Sequence, residues 1–303
     1  MELLMNDFFN KLDRKYIFPL FSLIILIGIS SSIFAYSKAK EHNQLVLEQV
    51  AAEEASIEAS LQEEEKVAEA EQESFLDYQY YMVNDPDISS EIMPMDGADV
   101  PANVLLLTFD DGPNQHTLET AKQLATLDVG AIFLINGMYL DEEENREILK
   151  EVYDMGFEIG NHTQHHENLR ELDYETQQFE ISETSRLIEE VTGEKPRWFR
   201  PPFGQFNMDT INICNDLDMQ LMTWNFGFDW MEEYHDATLL TEISLDNSYL
   251  RDGANILMHD LPWTSEAITD IVNGYHERGY HIVNPKQIKS SQNSTDPLEP
   301  ADL

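Results

Sequence analysis

The chain has 303 residues, with 58 Asp and Glu against 18 Lys and Arg, a formal net charge of −40. A field of that sign repels nucleic acid and anionic polymers and tolerates neutral glycans. The length allows one or two domains, and the single Cys214 excludes an intrachain disulfide.

Residues 1–16 form a short leading segment containing Lys11, Arg14 and Lys15. Residues 17–36 are apolar over about the length that crosses a bilayer as a helix. The basic flank before this run and the acidic sequence after it predict a cytoplasmic N-terminus and an extracellular remainder, by the positive-inside rule. A cleaved signal peptide is the rival expectation, with Ser37-Lys38-Ala39 as its cleavage site. Its apolar core would be shorter, about 7–15 residues, so the run is read as an uncleaved single-pass anchor.

Residues 41–75, rich in Glu, Ala and Gln without Pro or Gly, read as an acidic helical stalk. Val50, Ile57 and Leu61 are too sparse to form a coiled-coil seam. Residues 76–100, with Pro86, Pro94 and Gly97, read as linker, so that 37–100 is stalk and linker together. This stretch holds 17 acids and 3 bases, against 35 and 12 in residues 101–289, so the acidity extends into the domain. Residues 290–303 are polar and are expected to be a disordered tail.

Within 101–289, apolar strand patterns at 104–109, 131–135, 157–160, 198–200, 220–224, 255–258 and 281–283 alternate with helical patterns. The helices are expected at 118–127, 143–153, 174–191, 209–217, 238–247 and 266–277. Repeated β-α units predict a parallel sheet covered by helices, and their number suggests barrel closure. Cys214, inside one helical pattern, is expected to be buried.

Two clusters carry chemistry. Asp110 and Asp111 end the apolar run Val104-Leu105-Leu106-Leu107 and precede Gly112-Pro113, so both carboxylates stand at the carboxyl end of a buried strand. His162 and His166 are four residues apart, a spacing that brings two imidazoles together on one helical turn. Taken alone, the Asp-Asp-Gly-Pro run is also a common turn and the histidine pair a common surface feature. Together, two His and one carboxylate can hold a catalytic divalent metal with open positions, leaving the second Asp to handle protons. His165, next to His166, cannot share its helical direction.

The joint pattern resembles the polysaccharide deacetylases of the NodB-homology type, carbohydrate esterase family 4, over roughly residues 101–289. Thr108 to Pro113 is similar to their first motif, and His162, Thr163 and His166 to their second. Arg200-Pro201-Pro202-Phe203-Gly204 is similar to the third, with Phe203 where Tyr is usual, and Leu257-Met258-His259 to the fifth. The fourth is shortened, keeping Asp229-Trp230 without the Asp that usually precedes them.

The resemblance implies a distorted, incomplete (β/α) barrel. It implies a metal-dependent hydrolase that removes acetyl groups from a glycan. Asp111, His162 and His166 would then hold a divalent cation, zinc by expectation. Asp110 would be the general base and His259 the general acid. Asp229 is expected to pair with Arg200 beside the base. The backbone N–H of Phe203 would help bind the oxyanion, and Trp230 and Leu257 would line the acetyl pocket. Trp224, Trp263 and Tyr139 are possible sugar platforms. The anchor and stalk point to peptidoglycan as substrate; chitin-type or O-acetylated glycans, or glycan binding without catalysis, are the alternatives.

Overall fold

The computed structural model describes residues 78–85 and 89–290, together with helical positions 26, 28, 30, 37, 38 and 40. The stalk at 41–75, the tail from 291 and nearly all of the expected anchor lie outside the described residues. No helix among the described residues is long and apolar enough to cross a membrane. The chain divides after Ala70, and everything below concerns the unit that follows.

The unit opens with an antiparallel hairpin, β1 (Tyr80–Asp85) and β2 (Ser89–Pro94). There follow β3 (Val104–Gly112), α1 (Gln115–Thr126), β4 (Ile132–Ile135), α2 (Glu143–Asp154), β5 (Glu158–Asn161) and α3 (Tyr174–Thr192). The second half comprises β6 (Trp198–Phe199), α4 (Met208–Asp216), β7 (Gln220–Leu221), α5 (Ala237–Leu245), β8 (Ala254–His259) and α6 (Pro262–Glu277). Short strands β9 (His281–Ile282) and β10 (Ile288–Lys289) complete it.

The main sheet runs β7-β6-β5-β4-β3-β8, with every pair parallel and β9 beside the start of β3. Past β7 the chain turns back to β8. Phe226 bridges Ile256, and the Leu257 N–H donates to the Phe226 carbonyl at 2.8 Å. The curled parallel sheet with its helices is consistent with a distorted (β/α) barrel.

Strand alternation sorts the side chains. Leu105, Leu107, Phe109, Phe133, Ile135, Ile256 and Met258 join the helices in the larger apolar core. Val104, Leu106, Ile132, Leu134 and Trp198 face the other way, into a second core. Covering both faces explains the unbroken apolar run of β3.

Within the region expected to be linker, 76–100, the described hairpin is instead part of this second core. Tyr80, Met82 and Ile92 pack with Val104 and Leu106, and β1 pairs on its free side with β10. Pro86, Pro94 and Gly97 interrupt the apolar pattern of these six-residue strands, whose partners include Gly253 and Ile288 far along the chain. Cys214 is buried in α4, and burial pushes its thiol well above the usual range.

Candidate active site

The inward register of β3 continues from Leu106 through Thr108 to Asp110. That of β6 continues from Trp198 to Arg200, and on β8 Asn255, Leu257 and His259 alternate with the outward Ile256 and Met258. Period-two alternation therefore delivers Asp110, Arg200 and His259 to one end of the sheet.

Arg200 is fully buried and lies between strands. Its Nη1 donates to Asp110 Oδ1 at 2.7 Å and to Thr108 Oγ1 at 2.8 Å. Its Nη2 donates to Asn255 Oδ1 at 3.1 Å and to the Thr223 carbonyl at 3.2 Å. Burial lowers the guanidinium's pKa from its ordinary value, and the charge and hydrogen bond of Asp110 oppose that shift. The other oxygen of Asp110, Oδ2, lies 3.6 Å from His162 Nε2.

Asp111 Oδ1 lies 3.7 Å from His162 Nε2 and 3.5 Å from His166 Nε2, and the three residues form one compact donor group. Ligands of a tetrahedral zinc, each about 2.0–2.2 Å from the ion, stand about 3.3–3.5 Å apart, so the group fits a divalent cation with little adjustment. Tautomer supports the same fit. The His162 Nδ1–H donates to the Arg200 carbonyl at 2.7 Å, which leaves the Nε2 lone pair directed at the group.

The expected helical turn at 162–166 is not there. The two histidines, ring centroids 4.9 Å apart, stand in a loop after β5, and Thr163 (φ 69°) and His166 (φ 56°) are left-handed. Polar side chains hold this backbone in place of helical hydrogen bonds. Asn161 Oδ1 accepts from the Thr163 N–H at 2.8 Å, and Asn136 Nδ2 donates to the His162 carbonyl at 2.6 Å. Asp111 (φ 70°) and Phe203 (φ 59°) are also left-handed. Four of the six such non-glycine residues among those described thus sit at this site, as strained backbone at functional positions often does. Gly112 is required for a different reason. A Cβ there would stand 2.3 Å from Asp260 Oδ2, in a buried contact with no room to give.

Asp229 corrects a second expectation. It does not touch Arg200; it holds His259. Its Oδ1 accepts from the His259 Nδ1–H at 2.8 Å, and its Oδ2 accepts from the His259 backbone N–H at 2.6 Å and from Thr264 Oγ1 at 2.8 Å. Burial alone would lower the His259 pKa. The hydrogen bond and charge of Asp229, with the charges of Asp110 and Asp111, outweigh burial and raise it to about 9.

Around the rim, Phe203 is 61% exposed and meets the His166 ring edge-on at 4.7 Å, and Trp230 is 59% exposed. Leu257 is buried on β8 behind Gly227. Tyr139 lies at the lip, its phenol pKa raised by burial and by the charge of Asp111. Trp263 is committed to structure. Its indole N–H donates to the Asp229 carbonyl at 2.8 Å, and His235 stacks on its ring at 3.9 Å. Thr108, Asn255 and Thr264 are positioning residues that the motif reading left without roles. A buried Asn within the apolar strand Ala254–His259 was the one signal available for Asn255.

The polysaccharide deacetylase family model matches residues 97–222. A chitooligosaccharide deacetylase of Azorhizobium caulinodans is 31% identical over 174 residues, 56% of this chain and 80% of that protein. The chain belongs to the polysaccharide deacetylase family. PdaC, a peptidoglycan-N-acetylmuramic acid deacetylase of Bacillus subtilis, is 30% identical over 61% of this chain and 38% of its own length. The chain spans about half the length of the curated Bacillus relatives it matches, between 38% and 55%. Among solved structures, a CE4 family pseudoenzyme from Bacillus anthracis superposes with a TM-score of 0.56 at 27% identity, over 62% of this chain and 66% of that one. A mutant of that pseudoenzyme is described as having restored enzymatic activity. The family model stops short of Asp229 and His259, so their pairing stands on geometry alone.

Proposed function

We propose that this deacetylase-family chain is a metal-dependent N-deacetylase of a cell-wall glycan, with peptidoglycan as its substrate class. In this reading the apolar run at 17–36 anchors it in the cell membrane and the acidic stalk carries the catalytic domain outside. The observation that carries the enzymatic reading is the Asp229–His259 couple, an oriented acid beside the Asp110–Arg200 pair. It gives His259 a carboxylate partner although the fourth motif is shortened.

A divalent cation, zinc in this proposal, held by Asp111 and the Nε2 atoms of His162 and His166, would polarise the acetyl carbonyl and acidify water, whose pKa falls from 15.7 to about 7 in favourable zinc sites. The chain's own residues do the rest. Arg200 fixes Asp110 through Oδ1, so that Oδ2 faces the ligand group and takes the proton of the attacking water. The Phe203 N–H, which meets no acceptor among the described residues, would donate to the oxyanion. Asp229 binds His259 through Nδ1, and Nε2 is left to deliver a proton to the departing amine. Leu257 and Trp230 would receive the acetyl methyl group.

The second reading is a glycan binder on the same scaffold, favoured by the resemblance to a pseudoenzyme. Binding sugar needs neither a base fixed by Arg200 nor an acid fixed by Asp229, so the enzyme is the better account. Acetate release by the zinc-loaded full chain on peptidoglycan, chitin oligomers and acetylated xylan tests both readings. Release from peptidoglycan is expected; none from any of the three would leave the binder.

A further inference from the structure

His165 lies between two residues of the donor group in sequence but is not part of it. Its side chain is 49% exposed, while that of its partner Glu180 on α3 is 3% exposed. The Glu180 carboxylate accepts the His165 Nδ1–H at 2.6 Å and the His165 backbone N–H at 2.7 Å. Burying a carboxylate costs free energy unless both its oxygens are bonded, and here one oxygen holds the half-exposed imidazole while the other holds the backbone N–H of the same residue. That imidazole is therefore fixed in orientation, with Nε2 as its open polar atom. Phe179, the residue before Glu180, is 50% exposed. Its ring lies within 20° of parallel to that of His165, with centroids 6.3 Å apart.

A single exposed Phe on a helix needs no explanation. A near-parallel pair of half-exposed rings, one locked by a buried carboxylate and next in sequence to His166 of the donor group, calls for one. We infer that His165 and Phe179 form a sugar subsite, binding a neighbouring residue of the glycan whose acetyl group meets the Asp111–His162–His166 group. The chemistry matches a pyranose. Its C–H face is apolar and packs on aromatic rings. Its hydroxyls can donate, and with Nδ1–H held by Glu180 the Nε2 of the neutral imidazole is an acceptor for one of them. A polymeric substrate must also continue past the reacting residue, along whichever surface adjoins it. The inference rests on the deacetylase reading.

The test uses zinc-loaded full chain with β-1,4-linked N-acetylglucosamine dimer, trimer and pentamer. For Phe179→Ala and His165→Ala, the ratio of pentamer to dimer kcat/KM should fall roughly three- to tenfold, the effect of uncovering part of one aromatic side chain. The loss should appear in KM, with bound zinc equal to wild type, and Phe179→Trp should restore the ratio. Should His165→Ala lose zinc or fail to fold, Phe179→Ala decides alone. A Phe179→Ala ratio equal to that of wild type overturns the subsite. If wild type releases no acetate from any glycan, the deacetylase reading fails first. Calorimetric pentamer binding by wild type and Phe179→Ala then still judges the subsite, and equal affinities overturn it.

Discussion

The two halves of the site are built differently. On the β3–β5–β6 side, Asp110, Asp111, His162, His166 and Arg200 come from short runs at strand ends, and Arg200 ties them together. It bonds Asp110 through Nη1, and its carbonyl accepts from the His162 ring. On the β8 side, Asp229 reaches His259 from the loop after β7, Thr264 joins from the first turn of α6, and the Trp263 indole braces the Asp229 carbonyl. The first half is a rigid cluster whose parts are close in register. The second joins a loop residue, a strand end and a helical turn through the single carboxylate of Asp229. The first should accordingly fail all at once when broken, and the second by degrees.

The largest effects fall on the first half. Asp111→Ala and His162→Ala should each abolish stoichiometric metal and bring acetate release to background, whereas His165→Ala should keep its metal. Elemental analysis of the purified variants decides this, and metal loss in His165→Ala equal to that of the other two would break the assignment. Next comes Asp110→Asn, which preserves side-chain shape. It should retain metal and lower acetate release by about 10²–10⁴-fold, the usual contribution of a positioned acid–base group. Wild-type activity in that variant at matched metal occupancy would remove Asp110 from the mechanism.

The same contrast explains what was legible in the sequence. The β-α alternation and the strand-end positions of Asp110, Asp111, Arg200 and His259 follow from apolar runs and period-two alternation, which are local. At 162–166 the structure departs from the expected turn because spacing cannot distinguish a helical turn from a backbone held by Asn136 and Asn161, residues outside the pair. The partner of Asp229 differs from expectation for the same reason. The return of the chain from β7 to β8, which no local pattern records, brings Asp229 to His259 and not to Arg200. The hairpin β1–β2 looks like linker in the sequence because Pro86, Pro94 and Gly97 punctuate it and because its pairing with Gly253 and Ile288 joins positions remote in sequence.

The second half is sharpened by Asp229→Asn. His259 must be protonated to serve as the acid, so activity persists below its pKa and is lost as pH rises through it. Asp229 holds that pKa near 9 against burial. With the charge removed, burial acts with less opposition, and the alkaline limb of the pH–rate profile should move down toward the ordinary value of 6.5. A profile with an unmoved alkaline limb would mean that His259 is not the acid.

Thr264→Val gives the smallest and most discriminating effect. The hydroxyl is fully buried and donates only to Asp229 Oδ2, and valine fills nearly the same volume without it. Hydrogen bonds to charged groups contribute about 1.5–3 kcal/mol, so the variant should unfold at measurably lower denaturant concentration. Asp229 keeps its charge and both bonds to His259, so the alkaline limb should stay where it is. What the carboxylate loses is its third tether, and the looser imidazole should lower kcat a few-fold with KM unchanged. Charge and orientation are thereby separated: Asp229→Asn moves the pH profile, Thr264→Val moves only its height. A shifted limb in Thr264→Val would mean that the hydroxyl acts on the His259 proton itself, and the division between the two roles of Asp229 would fail.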